Sequence, residues 1–384
     1  MFLIMSIPLF FFVPEDSNSQ YLLDRQIAHY FPSWEIHFDS MSGGIRTSQG
    51  CLDLLNWYID LDTKFEVNFS RILGLRYRNK YLGDYKNQIC DHRFEPFFQL
   101  KKNLRLLFTV TTHYYKGEDE LGFGFFLGKD YLNFLEMFII AEDFDRNFSL
   151  QHMYPGEDKI IYKQHPIKLQ THFNKYWDTG HLSLKFDVSN RYRLQSTEPW
   201  DVYPRAYTEE GLHRYFYTRF WQDINKLRLG TIVDLKQSEL YQVDTTRIYN
   251  ENIFEIIVEP MISYKLTEKW IPNLYLTYNY KTDDDSIHIF SSLEDSLFHY
   301  KRDVYAYLID VEFHPGGNFI WHFGMQRQFY YNNQGEEFTD RRLLLGFEYR
   351  YKNIWFYFIE AMEGDFPTPK WLHNHTYVQL MLKF

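Results

Sequence analysis

Hydrophobic and polar side chains alternate with period two along most of the chain after residue 30. In one stretch, the apolar residues Phe94, Pro96 and Phe98 alternate with Arg93 and Glu95. Because successive side chains of a strand point to opposite faces, this alternation predicts two-faced β-strands. The same pattern recurs at residues 104–110, 181–188, 227–235, 256–266, 274–280, 305–313 and 343–351. Helical spacing is sustained nowhere, so the sequence predicts an all-β fold.

The connections between the predicted strands alternate between short and long. Tight links fall at residues 101–103, 128–130, 177–180, 222–225, 314–318 and 351–353. Longer polar segments fall at residues 143–165, 195–211, 243–252, 282–300, 332–338 and 362–371. Short turns at one end and long loops at the other are typical of a transmembrane up-and-down antiparallel β-barrel. Counting hairpins predicts about sixteen strands, or about eighteen if residues 34–41 pair with residues 49–61.

Composition agrees with a barrel and excludes other classes of protein. Aromatic residues make up 20% of the chain, far more than disordered proteins contain. A mean hydropathy of -0.46, with no apolar run near the ~20 residues of a membrane helix, excludes a helical multi-span protein. Aromatic residues beside the predicted short turns are expected to form a girdle at the membrane interface; these are Tyr131, Trp177, Trp221, Trp270 and Trp355.

Both ends of the chain suggest export to a membrane. Residues 1–13 are apolar and suit a signal peptide, so we predict a signal peptide at residues 1–19, a periplasmic segment at residues 20–33 and a barrel at residues 34–384. The last ten residues place Val378, Leu380, Leu382 and the terminal Phe384 on one face. This final strand resembles the assembly signal of Gram-negative outer-membrane β-barrel proteins of the porin-like kind. The resemblance implies a location in the bacterial outer membrane, with outer-membrane lipids and the barrel-assembly machinery as partners.

If the apolar faces contact lipid, the polar faces must line the lumen, because a charge at mid-bilayer costs ~2–4 kcal/mol. The candidate pore-lining residues are Arg93, Glu95, Lys101, Arg105, Lys185, Asp187, Arg191, Arg193, Lys226, Arg228, Arg342 and Arg350. Basic residues dominate this face, whereas acidic residues gather in the predicted loops, although the net charge is -10. The negative net charge argues against nucleic acid as a partner. The basic inner face predicts a porin-like channel for the passive passage of small solutes, leaning towards anions. The alternative is that the lumen charges pair and only stiffen the wall.

Other functions have weaker support in the sequence. No haem, zinc, phosphate-binding or serine-hydrolase motif is present, so we predict no cofactor and no metal. An outer-membrane hydrolase is one alternative, using His113, or His373 and His375 near Asp365, at the outer rim. A barrel that holds a partner in an export or electron-transfer assembly is another. Cys51 and Cys90 are candidates for a disulfide, with two free thiols as the alternative. The sequence does not indicate an oligomeric state.

Overall fold

The structure is a computed structural model that describes residues 40–48, 57–83, 88–113, 119–130, 133–145, 161–197, 206–244, 246–290, 295–351, 354–363 and 372–383. The predicted signal peptide and periplasmic segment lie outside these residues and stay predictions. The part of the chain that the structure describes contains no helix long and apolar enough to cross a membrane.

All the regular structure described is antiparallel β-strand in one sheet. The strands are β1 (Ser40–Ser48), β2 (Trp57–Asn68), β3 (Leu73–Gly83), β4 (Gln88–Lys101), β5 (Leu104–Thr112), β6 (Glu120–Asp130), β7 (Asn133–Ala141), β8 (Ile161–Gln164), β9 (Ile167–Trp177), β10 (Gly180–Ser189), β11 (Tyr192–Thr197), β12 (Ala206–Ile224), β13 (Leu227–Asp244), β14 (Arg247–Tyr264), β15 (Trp270–Ile289), β16 (Asp295–Gly316), β17 (Phe319–Asn332), β18 (Glu337–Tyr351), β19 (Ile354–Glu363) and β20 (Leu372–Lys383).

Two strands of the sheet are each interrupted and so appear as two segments. Segments β10 and β11 both pair with β12, so they form one strand. Segments β8 and β9 pair with β11 and β10 respectively, so they form the neighbouring strand. The twenty segments therefore make an eighteen-stranded sheet, at the upper end of the predicted range. Strand β1 pairs with both β2 and β20, so the order of pairings returns to its start.

The first hairpin differs from the predicted one. The pairing predicted between residues 34–41 and residues 49–61 is replaced by a pairing of β1 with β2, in which Met41 lies opposite Thr63. The alternation of side chains does not change when a strand slides by an even number of residues, so the sequence pattern alone left this register open.

Apolar side chains cover one face of the sheet and polar side chains the other. Strand β17 shows this most clearly, because Phe319, Trp321 and Phe323 are exposed while His322 and Gln326 are buried. Exposed apolar residues follow the same phase on other strands, among them Phe94, Phe98, Phe108, Phe123, Ile139, Ile262, Leu276, Ile309 and Leu345. An apolar exposed face is the reverse of a soluble sheet and is what a lipid-facing barrel requires.

Contacts between distant strands identify the polar face as the concave, inner one. Arg76 on β3 donates a hydrogen bond to Glu136 on β7, and Arg93 Nη1 on β4 lies 2.9 Å from Gln170 Oε1 on β9. Four strand spacings would separate each pair by about 19 Å in a flat sheet. Side chains can meet over that interval only on the inside of a strongly curved wall. The polar face therefore lines the lumen, as predicted, and the wall from β3 to β9 is tightly curled.

The two ends of the barrel differ, but less than the sequence suggested. One end carries the two-residue turns after β4, β9, β12 and β16. The other end carries the longer connections, including residues 142–160, 198–205 and 364–371. Two predicted loops are wrong: residues 243–252 and 282–300 are mostly strand, because β13 to β16 run on to connections of two and five residues. These strands of 18 to 22 residues exceed the ~9–11 needed to span a bilayer, so their far ends project beyond it.

We expect the end with short turns to face the periplasm. Gly316 and Gly335 mark the two ends, but their φ angles of 118° and 87° make a cysteine there strained. Their exposed neighbours Asn318 and Gln334 serve better. On intact cells, a cysteine at Gln334 or at Asp284 should react with an impermeant maleimide, whereas one at Asn318 should react only after the outer membrane is permeabilised. Reaction at Asn318 alone would show that the barrel has the opposite orientation.

Glycines on the inner face of β3 and β6 let aromatic rings from the next strand lie flat on the wall. Gly74 is the register partner of Phe97, and Gly124 is the register partner of Phe138. A Cβ on Gly124 would stand 2.5 Å from Phe138 Cδ1 and would clash with the carbonyl oxygen of Met137. The rings consequently pack on backbone and stay buried instead of reaching into the lumen.

Replacing Gly124 with alanine should lower the free energy of unfolding by about 1–3 kcal/mol, because the contact with the Met137 carbonyl can be relieved only by moving backbone. Gly324 is the matched control, since its Cβ would meet side-chain and backbone atoms no closer than 3.2 Å. Urea titration of the folded protein in lipid vesicles compares the two. Equal stability of both variants would contradict the role given to Gly124.

Candidate functional site: the inner face and its vestibule

A network of five charged side chains lies on the inner face of the curled wall. Arg76 contacts both Glu95 and Glu136, and Arg93 Nε forms an ion pair with Glu95 Oε1 at 2.7 Å. Arg78 completes the network, with Nη2 3.3 Å from Glu136 Oε2 and Nε 3.5 Å from Glu95 Oε2. Arg76 and Glu95 are fully buried. These charges hold one another across β3, β4 and β7 and stiffen this part of the wall.

Further pairs continue the network towards both ends. Arg105 Nη1 lies 2.8 Å from Glu66 Oε2, and its guanidinium covers the ring of Phe97 at 4.7 Å. Lys168 Nζ lies 2.8 Å from Glu120 Oε1 and 2.7 Å from Glu142 Oε1. Much of the basic charge predicted for the lumen is therefore matched by carboxylates, which supports the alternative that the lumen charges pair.

A polar cavity of about 370 Å³ opens on the inner face between β7 and β15, and we call it the vestibule. Its charged lining consists of four basic side chains and three carboxylates; these are Lys168, Lys236, Lys281, Arg214, Glu142, Asp187 and Glu255. Lys236 Nζ lies 4.0 Å from Glu255, and Lys281 Nζ lies 3.7 Å from Asp283. The vestibule can hold a small hydrated solute between charges of both signs.

Towards the short-turn end the inner face closes. The inward side chains below the vestibule are buried on several strands, among them Arg219, Asp234, Ile257, Glu259, Asn279, Leu308, Asp310, Glu348 and Tyr357. An open lumen filled with water would leave these side chains accessible. Any passage through this half is therefore narrow.

Acidic residues stand at the mouth, where β14 and β15 rise past the membrane. Glu251 is the register partner of Asp285, and Asp283 lies on the same face. Burial raises the pKa of Glu251 and of Asp285, and the neighbouring carboxylates raise both further. Burial, with the same carboxylates beside it, raises the pKa of Tyr249 to about 12. The mouth therefore carries a negative charge that is lost sooner on acidification than that of ordinary carboxylates.

Eight of the twelve candidate pore-lining residues lie on the inner face. They are Arg93, Glu95, Arg105, Lys185, Asp187, Arg228, Arg342 and Arg350. Lys185 Nζ stands 5.3 Å from the ring centre of Tyr217, and Arg228 Nε lies 2.6 Å from Asp223. Lys101 and Lys226 are exposed at the edge of the short turns instead of within the lumen.

Arg191 and Arg193 were predicted to line the pore, and this is wrong. Val188 on β10 pairs with Arg214 on β12, and Tyr192 on β11 pairs with Gly211 on β12. The chain from β10 to β11 therefore advances four residues where β12 advances three. One extra residue reverses the phase of the side chains, as in a β-bulge. Both arginines are about half exposed on the outer face, where they pair with Glu210 and Arg191 also with Glu239, at 2.7 Å.

The predicted aromatic girdle is correct in part. Trp177 and Trp270 are exposed beside the short turns, as predicted. Trp221 faces inward, because its ring is covered by Arg228 at 4.3 Å and lies 6.2 Å from the ring of His181. The structure does not describe Tyr131, Phe384 or the side chain of Trp355.

Among the side chains that the structure describes, no candidate for covalent or acid–base chemistry forms a complete site. Cys90 is a free thiol in the structure, and Cys51 lies outside the described part of the chain, so the disulfide between them stays a prediction. The Sγ of Cys90 lies 3.3 Å from Nε2 of His92. Nδ1 of His92 accepts a hydrogen bond from the side-chain amide of Asn79 at 3.1 Å. A ring that accepts at Nδ1 carries its proton on Nε2, so His92 cannot take the proton of the thiol in this arrangement.

The histidines proposed for a hydrolase are also incompletely defined. His113 Nδ1 lies 2.7 Å from Asp91 Oδ1, a pair that orients the imidazole at the outer rim. The side chains of His373 and His375, and Asp365, lie outside the description. For Val378, Leu380 and Leu382 the backbone pairs with both β19 and β1.

Sequence reasoning missed two features of the inner face. One is the apolar cluster of Phe97, Leu107, Phe126, Phe134, Phe138 and Ile140. The signal was available in the glycines that alternate along β6, opposite these large residues. The other is the group of Asp310, Glu312 and His322, whose members share the polar phase of two adjacent strands.

Comparisons with known proteins give likenesses only to solved structures, since no family model and no curated protein matches the chain. The chain is similar to OccAB3 of Acinetobacter baumannii, at 9% identity and a TM-score of 0.46 over 90% of this chain and 98% of that one. It is also similar to a bacterial polysaccharide outer membrane secretin, at 9% identity and a TM-score of 0.42 over 90% and 98%. A loop-deleted OmpT, an outer membrane protein of Vibrio cholerae, matches at 10% identity and a TM-score of 0.36 over 90% and 100%.

Likenesses at this level carry no argument about activity. The sheet itself, with an apolar outer face and a polar inner face, has the architecture of the β-barrels of bacterial outer membranes.

Proposed function

We propose that the protein is a porin-like channel that admits small polar solutes through the vestibule and a narrow lower lumen. The observation that carries this proposal is the polar cavity of about 370 Å³ on the inner face of an eighteen-stranded wall. Eighteen strands suffice for a lumen that holds water unless side chains fill it. Because side chains cover much of the lower half, we expect a low conductance.

The selectivity should be weak. Three lysines and Arg214 face three carboxylates in the vestibule, and the arginines of the curled wall are paired with Glu95 and Glu136. The anion preference predicted from the sequence then rests on the lysines of this region, Lys185, Lys236 and Lys281. Arg191 and Arg193 no longer contribute to the predicted anion preference, because they lie on the outer face.

Single-channel recording in planar lipid bilayers tests the proposal. The refolded protein should produce small, steady current steps and a reversal potential close to zero or slightly on the anion side. Complete absence of current from protein whose folding is shown by heat-modifiable mobility would overturn the channel and favour a structural or partner-holding barrel. Hydrolysis of a fluorogenic ester that is lost on replacing His113 would favour the hydrolase.

The mouth gives the channel a pH dependence of predictable sign. The raised pKa values of Glu251 and Asp285 mean that both take up protons before ordinary carboxylates do. Acidification should therefore remove negative charge from the mouth before ordinary carboxylates are protonated, and shift the reversal potential towards anions. The double variant Glu251→Gln with Asp285→Asn should show the anion-side value already at neutral pH. An identical pH response in the variant and the wild type would contradict the assignment.

A further inference from the structure

Three potential metal ligands meet on the inner face in the lower half of the barrel. Asp310 and Glu312 lie two residues apart on β16, and His322 lies on β17, opposite Glu312 in the register. One ligand atom from each of the three lies within 4.8 Å of the others. Three such atoms at this separation can surround a single ion.

The charge of Asp310 is buried without adequate compensation. Its side chain is fully buried, and its Oδ1 has no hydrogen-bond partner. Its Oδ2 lies 3.2 Å from the amide nitrogen of Asn273 and 3.5 Å from Nδ1 of His322, its one ion-pair partner among the residues described. Two guanidiniums lie within electrostatic range of Glu312; Arg350 contacts Glu348 and Arg228 contacts Asp223. A carboxylate removed from water in this way requires a cation or a proton.

The surrounding groups orient the three side chains. Asn273 donates to both carboxylates, with Nδ2 3.0 Å from Glu312 Oε1, and His314 Nε2 lies 3.0 Å from Glu312 Oε2. Glu348 Oε2 lies 3.9 Å from Nε2 of His322, on the far side of the ring from Asp310. At 3.9 Å this contact is an ion pair and not a hydrogen bond, but it places Glu348 beside the second ring nitrogen, where an accepting carboxylate holds a metal-binding histidine in place.

We propose that Asp310, Glu312 and His322 bind a first-row divalent transition metal ion of the zinc class in the lumen. One imidazole nitrogen and two carboxylates suit Zn²⁺, whereas Ca²⁺ and Mg²⁺ prefer ligand sets made only of oxygen. The ion neutralises the buried charge of Asp310 and joins β16 to β17. Ion binding at this site does not depend on whether the barrel conducts.

A matched comparison group is present in the same molecule. Glu251, Asp283 and Asp285 also bring three carboxylate oxygens within 4.8 Å of one another, but they include no histidine and are only partly buried. If bound zinc only reflected clustered negative charge, this mouth group would bind it at least as well as the buried group.

To test the site, the full-length protein is refolded in detergent, dialysed against EDTA to remove metal, and then mixed with ZnCl₂ as the only added ligand. Desalted protein should retain one zinc per chain by elemental analysis, and the midpoint of thermal unfolding should rise with zinc and not with calcium. His322→Gln should abolish both effects, and Glu348→Gln should weaken the affinity about 10- to 100-fold. Asp283→Asn with Asp285→Asn should change neither.

Asp310→Asn separates a metal site from a structural ion pair. Without metal, this variant should be at least as stable as the wild type, because it removes a buried charge, yet it should lose the stabilisation by zinc. Failure of folded wild-type protein to retain zinc would overturn the proposal. The proposal would also be overturned if His322→Gln retained zinc while the mouth variant lost it. It would be overturned too if metal-free Asp310→Asn were less stable than the wild type.

Discussion

Replacing Glu95 with glutamine should lower the free energy of unfolding by about 3–5 kcal/mol, the cost of leaving buried charge without its partner. Glu95 is fully buried and contacts Arg76, Arg78 and Arg93. Without its charge, three guanidiniums would share Glu136 alone. Glutamine keeps the size of the side chain, so the loss measures charge and not packing. Urea unfolding in lipid vesicles, followed by tryptophan fluorescence, gives the value.

Glu210→Gln is the matched control. Glu210 also contacts two arginines, Arg191 at 3.9 Å and Arg193 at 3.4 Å, but on the outer face of the strand extension and about one-third exposed. Surface pairs of this kind contribute about 1 kcal/mol or less, so its replacement should leave the unfolding curve nearly unchanged. Similar losses for the two variants would show that the curled wall is solvated and not the closed network described above.

Reversing the charge of Lys236 and Lys281 to glutamate should raise the ratio of cation to anion permeability several-fold. Both lysines line the vestibule, where charge concentrates the opposite ion in a narrow polar space. The change should be largest in dilute salt, since screening extends over only ~10 Å at 0.1 M. Reversal potentials measured across a salt gradient at two ionic strengths give the ratio.

The control for this change is Arg191→Glu with Arg193→Glu, which alters the charge by the same amount on the outer face. Both arginines are more than half exposed, so their reversal should alter the permeability ratio much less. An effect as large as that of the lysine pair would mean that the extended part of the wall, and not the vestibule, selects ions.

The sequence predicted the barrel well because the membrane imposes its pattern on every spanning residue. Along β17 exposed and buried positions alternate from Phe319 to Tyr330, and apolar residues occupy the exposed positions except at Arg327. The pattern failed where that constraint ends. At residues 190–191 one extra residue reverses the phase outside the lipid zone, and in β14 and β15 polar residues on both faces resembled loops although they form strands.

The inner face was less predictable, since residue type does not state which side chains meet. The pairing of Arg76 with Glu136 depends on the curl of the wall across four strand spacings, a property of the whole sheet. The group around Asp310 depends on the register of β16 with β17, where Glu312 lies opposite His322. A one-residue change in that register would turn His322 towards lipid.

The pairing of β1 with β20 has a consequence for biogenesis. The strand at Ser40–Ser48 meets the strand at Leu372–Lys383, so the seam joins segments from opposite ends of the chain. Until the last strand has been synthesised and delivered, both edges of the sheet expose backbone N–H and C=O groups that hydrocarbon cannot satisfy. Insertion is therefore an all-or-none event for this polypeptide: a ribosome that stops short of β20 produces an open ribbon that the lipid rejects and periplasmic proteases can attack.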